Sequence, residues 1–216
     1  MILNARESCA AMDGGVPERF INASTAASSY PLSAIADAFE ELSKLINSGK
    51  LNESQPYQLR LDTFCEACSL ISFLFGCLGL AFKFAECEYV SKVHNLVEAS
   101  KRYGSLQNMI DSDVANGTVK TSGSNSRNLR RVSDYYLKGA ASTAYAEVCA
   151  PYHSWAIRAA VAAGMYALPT REQLLLKLNE TNQSAEKKMR RYITASIPVI
   201  EYIDKLYLSR NIKLDW

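Results

Sequence analysis

Apolar residues recur at helical rather than strand spacing along most of the chain. Between Pro31 and Asn47, Ile35, Phe39, Leu42 and Ile46 fall three or four apart with Asp37, Glu40 and Glu41 between them. That pattern predicts an amphipathic helix, stopped by Ser48-Gly49. After a polar connection over 52–58, a helical region runs from Leu61 to Phe84, with a bend expected at Gly76 or Gly79. Further helices are predicted from before Glu88 to Ser100, over Leu106–Val114 as far as Asn116-Gly117, and from Arg127 to about Ala140. His153–Tyr166 is Ala-rich and apolar and is expected to cross the core. Thr170 and Gln173 carry the spacing of a capping box ahead of Leu174–Leu178. The last long helix covers Ser184–Leu208, with Pro198 placed to kink it. No stretch alternates as a strand does, so the expected fold class is all-α with about eight helices.

Two of these helices are apolar on most sides, whereas one stripe suffices for an ordinary surface helix. Such helices need burial in a middle layer, or they line an apolar ligand chamber; core burial is the default. The apolar run 67–82 is bounded by Glu66 and Lys83. It falls short of the roughly 20 residues a membrane span needs, so it is expected to be a core helix buried on nearly all sides. Residues 1–30 hold no continuous apolar run and read as a flexible N-terminal extension rather than a signal peptide, with one domain over 31–216.

Composition narrows the function classes. A hydrophobic fraction of 48% with 21% charged residues excludes wholesale disorder in a chain of 216 residues. The net charge of +2 argues against a polyanion-binding surface over the whole molecule, hence no nucleic acid, yet permits a local basic site. Four of the six cysteines, Cys65, Cys68, Cys77 and Cys87, fall inside one largely apolar, helix-like stretch. They read as small buried hydrophobes in a reducing, cytoplasmic setting. With only His94 and His153 as histidines, a multi-histidine metal centre is impossible. Nucleophile-elbow, zinc-protease, Walker A and dinucleotide-binding motifs are missing, so neither an enzyme nor a cofactor is expected.

Polar groups that interrupt the apolar helices are the candidate chemistry. Glu88 and Lys92, four apart, share a helix face. The pair serves either as a surface ion pair or as an acceptor for a ligand amide or hydroxyl beside an ammonium that meets an anion. Arg127 and Arg131 are also four apart near a helix start. They form either a solvated basic face or a two-guanidinium clamp for a tetrahedral phosphate. His153 either satisfies a buried carbonyl or donates a ring proton to a ligand carbonyl. Trp155 suits a core or a bilayer interface equally.

Taken together, FGCLGLAFKFAECEYVSKV (75–93), RNLRRV (127–132), APYHSWAIR (150–158), GMYALPTREQLL (164–175) and the ending YIDKLYLSRNIKLDW resemble the glycolipid transfer protein superfamily. The likeness covers roughly Ser33–Trp216 and is strongest to plant members that transfer ceramide-1-phosphate. The resemblance implies a two-layer all-α sandwich enclosing the ceramide chains in an apolar chamber. It places the residue bonding the sphingoid amide and hydroxyl at Glu88, the phosphate lysine at Lys92, the phosphate arginines at Arg127 and Arg131, and the acyl-carbonyl histidine at His153. Arginines stand in the region where glycolipid carriers stack a sugar on tryptophan, which favours phosphate. The function implied is a soluble, cytoplasmic, non-enzymatic carrier of ceramide-1-phosphate or a related phosphosphingolipid. It would touch membranes transiently and restrain cell death and defence in a plant; which protein partners it has is left open. Two departures stand out. Glu88 replaces the family's aspartate, and the Arg131–His153 interval is markedly shorter than the family's, leaving one helix and loop region shortened. These departures keep open a non-transferring sphingolipid sensor or adaptor, or an impaired isoform.

Overall fold

The computed structural model describes residues 31–50, 58–79, 82–138, 155 and 169–213. The expectations for 1–30, for the helix His153–Tyr166 and for His153 itself lie outside the described residues. Seven helices are described: α1 (Pro31–Lys50), α2 (Leu61–Leu78), α3 (Lys83–Tyr103), α4 (Leu106–Ala115), α5 (Asn125–Lys138), α6 (Arg171–Leu178) and α7 (Asn182–Leu208). Among the described residues the only β pairing is an isolated bridge between Arg60 and Ser105. The fold is an all-α sandwich.

Local chemistry accounts for most helix ends. The expected bend in the second helical region is a break: Gly79 adopts φ 85°, the chain turns, and α3 restarts at Lys83. A side chain is strained at such a φ, and glycine is not. Gly104, at φ 69°, closes α3 by donating its N–H to the Ser100 carbonyl. The capping box at Thr170 and Gln173 forms as expected, and Thr181 with Ser184 makes a second one that opens α7. The helix α7 runs through Pro198. Its missing N–H leaves the carbonyl of Thr194, an exposed residue, to water.

Packing closes the helices into a ring. The helix α1 lies along α7 and against α2; α2 packs on α3, α3 on α5, and α5 reaches back to α7. The predicted stripe of α1, Ile35, Phe39, Leu42 and Ile46, is buried throughout. Phe39 meets Tyr192 of α7 edge-on, with ring centroids 5.0 Å apart. Ion pairs bound this core. Arg191 of α7 reaches Glu40 and Asp37 of α1, and Arg130 of α5 reaches Asp204 of α7 at 2.8 Å.

The apolar helix α2 departs from expectation. It is long and apolar enough by length and composition to cross a membrane, yet only 39% of it is buried. Leu61, Phe64, Cys65, Ala67, Cys68 and Ile71 are inside, whereas Phe73 is 40% exposed and Leu70, Leu74, Phe75 and Leu78 are half-buried. Apolar composition reports a preference for burial, but α1, α3 and α6 cover only part of this helix. Cys65, Cys68 and Cys77 are buried as expected and form no disulfide, and burial pushes the thiols of Cys65 and Cys77 up. Cys87 departs from that reading and is disulfide-bonded.

Candidate anion-binding site

The seam between α3 and α5 carries the charged candidates. Tyr89 sets the rotation of α3: its buried phenol donates to the Cys68 carbonyl at 2.9 Å, and its ring lies 5.4 Å from that of Phe75. With Tyr89 turned onto α2, Glu88 faces α5. On α5, Leu129 and Val132 point into the core and Arg130 is taken by Asp204, which leaves Arg131 on the α3 side.

The start of α5 is held from three directions. Ser124 Oγ accepts the N–H of Arg127 at 3.2 Å. The buried carboxylate of Asp113 accepts the N–H of Ser126 at 2.7 Å, filling a donor that the helix itself leaves open. The buried Tyr207 donates its phenol to the Ser126 carbonyl at 2.5 Å. Both backbone groups of the residue before Arg127 are thus gripped by side chains from α4 and α7. Sequence reasoning missed Asp113 and Tyr207 as positioning residues. An aspartate near a helix end and a tyrosine in a helix carry no pattern that distinguishes this use.

Glu88 and Arg131 meet across the seam, Oε1 to Nη1 at 3.4 Å, with the side chains 33% and 48% exposed. The intrahelical Glu88–Lys92 ion pair that the spacing allows is not formed. Lys92, one turn along α3, is half-buried and has no hydrogen bond or ion pair among the described residues. Arg127 lies one turn before Arg131, but its guanidinium turns the other way and donates to the Lys120 carbonyl at 2.9 Å. The structure therefore joins Glu88 directly to Arg131, sets Lys92 on the same helix, and engages Arg127 at the adjoining loop. Trp155 is 77% exposed, which settles its two readings against the core. Arg131 and Lys92 beside one carboxylate suit an anion, and guanidinium forks match phosphate oxygens. No group of three or more metal-ligating side chains occurs among the described residues.

Comparison with known proteins agrees with this architecture. Residues 59–134 and 133–180 match the family described as Glycolipid transfer protein (GLTP). The chain is 59% identical over 203 residues to the "ACD11 homolog protein" of Arabidopsis thaliana, covering 86% of this chain and 89% of that one. It is 44% identical to "Accelerated cell death 11" of the same plant, covering 86% and 96%. The crystal structure of a mutant of Arabidopsis accelerated-cell-death 11 complexed with C12 ceramide-1-phosphate superposes with a TM-score of 0.77 at 42% identity, covering 87% of this chain and all of that one. The family match falls in two stretches that meet at Ser133–Asp134, two residues after Arg131.

Proposed function

Since the chain belongs to the glycolipid transfer protein family, we propose that it binds ceramide-1-phosphate or a closely related phosphosphingolipid and carries it between membranes. Arg127, Arg131 and Lys92 take the phosphate oxygens. Glu88 accepts from the amide and hydroxyl of the sphingoid base, and His153 donates to the acyl carbonyl. The observation that carries this reading is the convergence of Glu88 and Arg131 from two helices, with Lys92 one turn away. An acceptor and a guanidinium placed side by side are what a headgroup with both amide and phosphate requires. The plant relative whose mutant holds ceramide-1-phosphate supports the same ligand class.

The half-covered end of α2 supplies the apolar part. Phe75 touches Tyr89, the neighbour of Glu88, so Phe73 and Leu74 lie at the level of the charged seam. Each methylene taken from water there contributes about 0.8 kcal/mol, which gives affinity without selectivity. Selectivity comes from the headgroup, because a buried phosphate without cations is costly. The cycle makes and breaks no covalent bond and needs no catalytic residue. The protein works in the cytoplasm and touches a membrane briefly through Trp155, whose indole suits the interface. By kinship with its plant relatives, its physiological setting is the control of cell death.

Transfer of fluorescent ceramide-1-phosphate between vesicles, with galactosylceramide in parallel, tests this. Phosphate-selective transfer that disappears in an Arg127→Ala/Arg131→Ala double variant is the expected result. No transfer of either lipid by a folded protein overturns it. The division of the family match into two stretches that meet at Ser133–Asp134 favours a second reading, a sensor that binds the same lipid and does not transfer it. Binding without transfer is its signature.

A further inference from the structure

The reading above gives Glu88 and Arg131 separate tasks, one at the sphingoid amide and one at the phosphate, yet in the structure they satisfy each other. A phosphate that reaches Arg131 meets the like charge of Glu88 at the same guanidinium. Lys92 does not draw that carboxylate away, although it lies at the favourable i,i+4 spacing. The Glu88–Arg131 contact is single, 3.4 Å long and partly exposed, rather than a two-point fork. Such a pair is weak and exchanges readily.

Resting on the proposed function, we propose that Glu88 is an exchangeable internal counter-ion of Arg131, and that this exchange makes the site select phosphate lipids that also carry an amide. The incoming phosphate displaces the carboxylate. A sphingoid base then offers the freed carboxylate an N–H and an O–H, so every charged group is paired at the end of the exchange. A diacylglycerol phosphate, whose chains are joined by esters, brings no such donor and leaves Glu88 beside a second anion without compensation. Selection therefore acts through a penalty on the wrong ligand as well as a bond to the right one.

Calorimetric titration of the full chain with short-chain ceramide-1-phosphate, phosphatidic acid of matched chain length and inorganic phosphate tests the exchange. In Glu88→Gln and Glu88→Ala, phosphatidic acid and inorganic phosphate are expected to bind about two- to fivefold more tightly than in the wild type, the worth of a partly exposed ion pair. The preference for ceramide-1-phosphate over phosphatidic acid falls accordingly. Glu88→Ala removes the same charge from a partly exposed position and decides the question if Glu88→Gln does not fold. If the wild type binds ceramide-1-phosphate and neither variant binds the amide-free phosphates more tightly, the counter-ion role is wrong and the lipid reading survives. If the wild type does not bind ceramide-1-phosphate, the lipid reading fails and takes the counter-ion role with it.

Discussion

At the α1–α7 seam, Arg191 forks onto Glu40 with both contacts at 2.8 Å and reaches Asp37 at 2.6 Å. At the α3–α5 seam, Arg131 meets Glu88 through one contact of 3.4 Å. The chemistry is the same, arginine against carboxylate, and the surroundings differ. The first pair flanks a filled interface in which Phe39, Tyr192, Ala195 and Val199 are buried. The second stands beside the half-covered end of α2, with an unpartnered lysine one turn away among the described residues. Partly exposed ion pairs contribute little to stability in either place. Apolar side chains fill the second seam as well, where Tyr89, Leu129 and Val132 are buried, so what sets it apart is the single long contact and the half-covered helix end beside it.

The largest expected effect breaks the closed seam. Phe39→Ala removes a fully buried ring from the α1–α7 interface and should cost about 3–5 kcal/mol. Urea unfolding checks it, and a loss below about 1 kcal/mol would mean that the seam yields and refills. The matching change at the open seam is Phe73→Ser. Because Phe73 is already 40% exposed, stability should fall by about 1 kcal/mol or less, while uptake of lipid from vesicles drops several-fold. Equal damage to folding by both substitutions would erase the distinction between the seams.

The smallest effect separates the charges from the packing. Arg191 holds Glu40 below its ordinary 4.5, mainly by hydrogen bonding, and Arg210 holds Asp111 below its ordinary 3.8 in the same way. A lowered carboxylate stabilises the fold fully above its ordinary value and loses that contribution as pH falls through its value in the folded state. The gap in Tm between the wild type and an Arg191→Gln/Arg210→Gln variant should therefore be widest near neutral pH and close in acid below those values. A gap that is unchanged at pH about 3 would show that the arginines act through packing of their stems.

Much of the fold was legible because helical periodicity is local. The stripe of α1, the capping box of α6 and the stop of α4 at Asn116-Gly117 each depend on residues within one or two turns, and each forms where its pattern predicts, whereas α1 runs through the expected stop at Ser48-Gly49 to Lys50. The break at Gly79 was legible as a place and not as a kind, since glycine permits a bend and a positive φ alike. Burial of α2 was misread, because apolarity along one helix does not say how many neighbours will cover it. The candidate site was legible as residues and spacing on each helix. Its pairing was not: spacing favours Glu88 with Lys92, and the structure joins Glu88 to a residue 43 positions away. The grips of Asp113 and Tyr207 on Ser126 were equally invisible, since three distant segments must meet before they exist.

The sequence by itself determined an all-α chain, the positions of its helices and a set of cations on two of them, because these follow from neighbours three and four residues apart. Only the tertiary structure decided which arginine takes the carboxylate, which lysine is left beside the seam and which end of α2 stays uncovered. Those outcomes are set by competition among partners that the chain brings together from far along its length, and short-range pattern holds no record of that competition.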